Sequence, residues 1–229
     1  MRESAVRDFR ALMSHYGLIS GMPRVIDVGG TETVYLDDHN APNPLVSVFP
    51  KVDFLDKGFA SSVLNTSASF ELDFLDREQI APLMGEYDIA VSFDTLEHVP
   101  DPFKFCEHLL AITRPGGTVF IATVFEWGYH PSPEDYFRFS PAGLRECFTS
   151  ARNGLREEAQ VLSCGWGSDR RGVCLLCQRC TVPTCSRVPV KMEDILPAAS
   201  PALSPPPAVV PTWRRFLRRA RRVWRTATE

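Results

Sequence analysis

Apolar and polar residues change their spacing several times along the chain, and each change predicts an element. Over residues 3–16, Val6, Phe9, Met13 and Tyr16 recur at three- and four-residue intervals, the pattern of an amphipathic helix. Short apolar runs bounded by Gly, Pro and Asp then predict buried strands at 24–28, 51–56 and 68–72. A further strand carries Ile89, Val91 and Phe93, and another enters through the Gly turn of 114–123. Helix starts separate them. Asp76 caps a helix through Met84, and Asp101-Pro102 forms the cap and first turn of a helix carrying Phe105, Leu109 and Ile112. Ser140-Pro141 repeats that signal before Leu144 and Phe148. Two β-like runs, 155–163 and 172–180, close the series around a turn at 164–171. Strands alternating with helices predict an α/β fold with a doubly wound sheet, whose chemistry belongs at the C-terminal ends of the strands.

Charge refines this picture. The formal net charge is −3, but residues 213–229 carry seven Arg and one Glu, a local +6, so the other 212 residues sum to −9. An acidic body of this kind predicts no nucleic-acid partner. In the basic segment, Trp213, Phe216, Leu217, Ala220, Val223, Trp224 and Ala227 fall within an arc of about 120° and the Arg residues lie opposite, which predicts an amphipathic helix suited to an anionic membrane surface through 213–227. Eight Pro between 181 and 212 predict a semi-extended linker before it. The expected organisation is a domain at 1–180, a Pro-rich linker at 181–212 and a helix at 213–229. No stretch approaches the roughly 20 apolar residues of a membrane span, and the N-terminus has acids and no apolar h-region. The expected location is cytoplasmic, peripheral at the membrane, with the seven Cys reduced.

Two segments carry more specific information: Y-D-I-A-V-S-F-D-T-L-E-H-V-P-D-P at 87–102 and R-P-G-G-T-V-F-I-A-T at 114–123. They resemble the class I S-adenosylmethionine (SAM)-dependent methyltransferases, in which the segment after the fourth strand reads D-x-L-E-H-V-x-D-P. The resemblance covers residues 23–180. It implies a Rossmann-like sheet, mostly parallel with a terminal antiparallel strand. It also implies a cofactor loop after the first strand, where the family reads D/E-x-G-x-G-x-G. Here Asp27, Gly29 and Gly30 are present, but Thr31 and Thr33 stand where glycines are usual. A plain tight turn is the alternative for Gly29-Gly30. The family places a ribose-binding carboxylate after the second strand, a position filled by Asp56, with Asp53 the competitor in register. Asp73 and Phe74 match the adenine position, and Asp94, Thr95 and Leu96 the wall beneath the cofactor. Asp94 is equally suited to capping a turn.

Methyl transfer needs alignment, and a base where the acceptor starts protonated. Two histidines stand in range, His98 after the fourth strand and His130 after the fifth. His130 opens H-P-S-P-E-D-Y-F-R-F-S, which resembles the H-P-x-x-x-D-Y-x-R-x-(S/T) stretch of methyltransferases with small-molecule or surface-sugar acceptors. There Asp135, Tyr136 and Arg138 would orient substrate or fix the loop. Cys174, Cys177, Cys180 and Cys185 are spaced as if for zinc, but V-C-L-L-C-Q-R-C reads as a strand that puts neighbouring thiols on opposite faces, so no metal ligands are predicted. A nicotinamide site would need Gly at 31 and 34, where Thr31 and Val34 stand. The competing expectation is a methyltransferase-like domain without cofactor activity, tethered to a membrane as an interaction module.

Overall fold

The computed structural model describes residues 1–36, 39–57, 69–131, 134–155, 158–180 and 189–196. In chain order these form α1 (Glu3–His15), β1 (Val25–Val28), a hairpin of β2 (Thr33–Leu36) and β3 (His39–Pro42), then β4 (Val52–Asp56) and β5 (Ser69–Glu71). There follow α2 (Arg77–Ile80), β6 (Tyr87–Phe93), α3 (Pro102–Ile112), β7 (Thr113–Val124), α4 (Pro141–Thr149), β8 (Ala159–Trp166) and β9 (Gly172–Arg179). Seven strands share one sheet in the order β5-β4-β1-β6-β7-β9-β8. Neighbours from β5 to β7 are parallel, and β9 runs antiparallel to both β7 and β8. The chain steps outward from β1 through β4 to β5 and then returns to β6 on the other side of β1. Such a reversal leaves a crevice beyond the C-terminal ends of the central strands.

The capping residues do what their chemistry allows. Asp76 accepts from Glu78 N, Asp101 from Lys104 N and Ser140 from Gly143 N, each satisfying an otherwise orphaned helix donor. Apolar residues on the two faces of the sheet build two layers. One packs Leu109 of α3 and Phe148 of α4 against Val119 and Ile121 of β7. The other packs Phe9, Leu12 and Met13 of α1 against Phe93 and Phe120, with the Phe9 ring 5.1 Å from Phe120. Truncating such a buried ring to Ala costs about 3–5 kcal/mol.

Several boundaries differ from the pattern-based reading. β8 starts at Ala159, not 155, because buried Asn153 closes a turn there: its Nδ2 donates to Cys147 O and its Oδ1 accepts from Leu155 N. β8 then continues to Trp166, leaving 167–171 as the turn, closed by Gly167 N donating to Gly172 O. The β2–β3 hairpin carries no alternating pattern, and Pro44 opens a 3-10 turn, Pro44–Ser47, in place of a helix. The packed domain also continues past 180. Val190 bridges to Ser163, and Met192 and Leu196 are buried in the α1 layer, so part of the Pro-rich segment is core. The rest of the linker expected at 181–212 lies outside the described residues, as does the helix expected at 213–229. Cys174 and Cys177 on β9 do lie in opposite layers. Among the described residues, no helix is long and apolar enough to cross a membrane.

Candidate active site

A cleft of about 450 Å³ opens where the strand order reverses, within the range of small-molecule sites. Its lining includes Gly29 at the end of β1, Asp56 at the end of β4, Asp73 and Phe74 after β5, and Asp94, Thr95 and His98 after β6. Six of the nine residues expected around a cofactor therefore meet here. Asp53 does not compete: it is buried, accepting from Tyr87 Oη at 3.1 Å and lying 3.7 Å from Arg24 Nε.

The remaining three stand behind the surface. Leu96 is fully buried in the core. Asp27 is also fully buried; its Oδ2 accepts from Asn43 Nδ2 at 2.8 Å, and its Oδ1 has no hydrogen-bond partner. Burial raises its pKa to about 7, against the Asn43 hydrogen bond that lowers it. Gly30 is glycine because a Cβ there would meet Asp27 Oδ2 at 1.9 Å. Gly29 has φ +83° and would place a Cβ 2.2 Å from the Thr95 methyl. Both glycines thus serve close packing of this loop as well as any ligand's approach. Asn43 was not singled out by sequence, although the Asn43-Pro44 dipeptide is a turn signal. It also donates to Thr31 O and so ties the whole loop.

The other polar groups are already engaged. Asp73 accepts from Lys57 Nζ at 2.6 Å and from Leu75 N at 3.0 Å, and the Lys57 bond holds its carboxyl below the usual range. The Phe74 ring packs 5.0 Å from Phe105 and is 6% exposed, so it offers the cleft little more than an edge. Asp94 takes a left-handed φ of 48°, which Asp tolerates, and turns its carboxylate onto Arg2. Arg2 N donates to Asp94 Oδ2 and Arg2 Nε to Asp94 Oδ1. The same guanidinium reaches Asp169 Oδ2 at 3.0 Å and Thr123 O at 3.1 Å. Burial alone would lower the Arg2 pKa; Asp94 and Asp169 more than offset it and hold it above its ordinary value. Nothing in the local sequence around Arg2 signals this role, because its partners lie 92 and 167 residues away.

Beyond His98 the cleft meets the loop after β7. Glu97 O accepts from Tyr136 N and Phe137 N, which docks this loop on the turn after β6. Asp135 pairs with Arg138 through both oxygens and also accepts from His130 N. The Arg138 hydrogen bonds keep the Asp135 carboxyl well below the usual range. Arg138 further donates to Trp127 O and Gly128 O. Asp135 and Arg138 thus make loop-fixing contacts, while Tyr136 is 49% exposed and joins exposed Trp127, Tyr129 and Phe137. The His98 and His130 rings stand 4.9 Å apart. Beside them, with Oε1 3.8 Å from His130 Nε2, lies Glu97, fully buried and without a role in the sequence pattern. Burial raises its pKa, and the Asp94 charge adds to that.

A family profile described as a methyltransferase domain matches residues 2–172. Among curated proteins, the chain is 44% identical over 47 residues to a ubiquinone biosynthesis O-methyltransferase of Aeromonas salmonicida, covering 20% of each chain. It is 30% identical over 77 residues to its Escherichia coli O127:H6 counterpart, covering 31% of this chain and 32% of the relative. These matches span only a fifth to a third of the curated relatives. Among solved structures, the Burkholderia thailandensis 1,6-didemethyltoxoflavin-N1-methyltransferase, bound to 1,6-didemethyltoxoflavin and S-adenosylhomocysteine, superimposes with a TM-score of 0.56. It is 13% identical, covering 78% of this chain and 79% of that one. The [4+2]-cyclase SpnF, also 13% identical, superimposes with a TM-score of 0.55, covering 76% and 81%. At such identity both show the fold alone.

Proposed function

Because this chain belongs to the methyltransferase-domain family, we propose that it is an S-adenosyl-L-methionine-dependent methyltransferase acting on a small-molecule or surface-sugar acceptor. The observation that carries this reading is the cleft itself. At the strand-order reversal it gathers Gly29, Asp56, Asp73 and Thr95 on one side and leads past His98 to an aromatic loop. The donor set fits the cofactor. Asp56 is a carboxylate for a ribose diol and Asp73 an acceptor for an exocyclic amine, both lining the cleft. When bound, the cofactor supplies an electrophilic methyl group on a sulfonium.

The chain's own residues then hold the acceptor in line and receive its proton. His130 and His98 are the groups for that proton, since a neutral imidazole carries a basic ring nitrogen and His98 lines the cleft with His130 against it. Exposed Trp127, Tyr129, Tyr136 and Phe137 give a planar or ring-shaped acceptor apolar faces to stack on. The names of the ubiquinone and toxoflavin relatives, both concerned with small molecules, support an acceptor of that size.

The second reading, a cofactor-free interaction module, is favoured by one specific feature: Thr31 and Thr33 stand at positions where the family carries glycine. Calorimetry with SAM and with its demethylated product separates the two. Binding is expected, and Asp56→Ala is expected to weaken it by about 1–3 kcal/mol through loss of charge-assisted hydrogen bonds. Absence of heat and of any thermal shift at millimolar ligand defeats the enzyme reading.

The basic segment 213–227 is proposed to hold the protein at an anionic bilayer, with roughly 1 kcal/mol of attraction per basic residue near the surface. The full chain should sediment with anionic vesicles, less so in high salt, and a chain ending at 211 should not. Equal sedimentation of both removes the membrane role.

A further inference from the structure

Glu97 joins His98 and His130, the two groups proposed for the acceptor's proton, in one cluster. A donor atom from each lies within 4.8 Å of one from each of the others. Two elements supply them: the short turn Leu96–His98 after β6 and the loop after β7. Glu97 is fully buried. Its Oε2 accepts from Thr123 Oγ1 at 2.8 Å, while its Oε1 has no hydrogen-bond partner and lies 3.8 Å from His130 Nε2. A buried carboxylate oxygen left unpaired is costly unless a cation satisfies it.

Both imidazoles are turned the same way. His98 Nδ1 lies 2.6 Å from Glu134 O, and His130 Nδ1 lies 2.9 Å from Gly128 O and 3.4 Å from Asp135 Oδ2. These oxygens can only accept, an arrangement that favours the tautomer with the proton on Nδ1 and the lone pair on Nε2, at His130 against the more distant Arg138 Nη2 at 3.4 Å. That division, with Nδ1–H held by a carbonyl or carboxylate and Nε2 free, is how proteins prepare histidine as a metal ligand. The Arg138 guanidinium lies 3.4 Å from His130 Nδ1 and is neutralised by Asp135. Asp94, which adds negative charge near Glu97, is itself balanced by Arg2.

We propose that Glu97, His98 and His130 bind a divalent first-row transition-metal ion. Bonds of about 2.0–2.2 Å put neighbouring ligands on one ion roughly 3–4 Å apart, so the Glu97–His130 spacing fits and the third donor closes by a small side-chain shift. Two imidazoles with one carboxylate suit Zn²⁺, Co²⁺ or Mn²⁺ better than Mg²⁺, which prefers an all-oxygen shell. Three protein ligands leave a position open, and His98 lines the cleft, so that position faces it. An acceptor oxygen bound there would lose its proton more readily. This use rests on the methyltransferase reading; the ion site does not.

The test uses the full chain, stripped with chelator and dialysed, and titrated calorimetrically with ZnCl₂ and, separately, with CoCl₂ under visible spectroscopy. The expected result is saturable one-to-one binding, with cobalt d–d bands and no thiolate-to-cobalt charge transfer. His130→Ala, in an exposed loop, and the isosteric Glu97→Gln should each weaken it about 100-fold or more with unchanged circular dichroism. No one-to-one binding, binding indifferent to both variants, a thiolate band assigning the ion to cysteine, or tighter binding of MgCl₂ would each overturn the site. SAM titration of the same samples keeps the two readings apart. Metal binding without SAM binding upholds the ion site and defeats the methyltransferase; the converse does the opposite.

Discussion

The two walls of the cleft are built on opposite terms. On the side of β1, β4 and β5, joined by Asp94 just past the end of β6, charge is largely spent inside the protein: Asp73 on Lys57, Asp94 on Arg2, and Asp27 partly on Asn43. Close-packed glycines hold that wall in one shape. On the side of β6 and β7, polar contacts fix the backbone of a loop while, among the described residues, one Glu97 oxygen has no hydrogen-bond partner and Tyr129, Tyr136 and Phe137 stay exposed. A wall whose groups are satisfied suits a ligand that is always the same. A wall with open valences is where a reaction can be done, since an unpaired buried group gains most from what arrives.

Removing the imidazole of His130 should break this contrast most severely. Turnover of His130→Ala, followed as label transferred from SAM to acceptor in cell extract, should fall by roughly two to four orders of magnitude, while SAM affinity stays nearly unchanged. That holds whether the ring takes the proton or grips an ion. Full turnover in the variant would move the chemistry to His98.

The satisfied wall should fail differently. Arg2→Ala leaves Asp94 and Asp169 without their shared cation in a buried setting, and breaking such a pair costs about 3–5 kcal/mol. Urea unfolding should register a loss of that order. A loss below about 1 kcal/mol would mean that the contact is exchangeable with water and the wall less closed than drawn.

Asp27 provides the sharpest probe, because its effect is read as a slope in pH. Its folded pKa is about 7, raised mainly by burial, eased by Asn43 and the Met1 ammonium and aggravated by Asp56, whereas in the unfolded chain an Asp titrates near about 3.9. Below about pH 4 both states hold the proton and nothing is lost. Between about 4 and 7 only the folded state holds it, so stability falls as pH rises, by up to about 1.4 kcal/mol per unit, and levels off above 7. The stability difference between wild type and Asp27→Asn should show that slope, and saturating SAM should flatten it if the carboxylate faces the cofactor's amino group. A difference independent of pH would show that Asp27 is ionised throughout.

Much of the fold was legible because its signals are local. Asp76, Asp101-Pro102 and Ser140-Pro141 announce helices within three residues of their own donors, and the apolar runs of β1, β4, β6 and β7 need no distant partner to be read. The family resemblance carried the site as far as Gly29, Asp56, Asp73 and Thr95. What escaped depends on distance. Asn43 matters through Asp27, Glu97 through the two imidazoles, Arg2 through Asp94 and Asp169, and Met192 through Gly165 and Ser163. None of those pairings leaves a period in the sequence. β8 was misplaced by four residues because Asn153 spends its side chain on the turn, a choice the β-propensity of its neighbours does not disclose.

Arg2 also has a bearing on how the protein is made. Its guanidinium sits where a Cβ on Gly172 would lie 1.9 Å away, joining the second residue of the chain to the first of the last strand. During synthesis at ~5–20 residues per second, the α1 helix must wait roughly ten to thirty seconds before that strand exists. Through that interval the apolar stripe of Phe9, Leu12 and Met13 has the central strands to cover but lacks Cys174 and Leu176 of β9. A nascent chain stalled before 172 should therefore carry α1 on the central strands without the Arg2 clasp, and protection of α1 should rise further once that strand is complete.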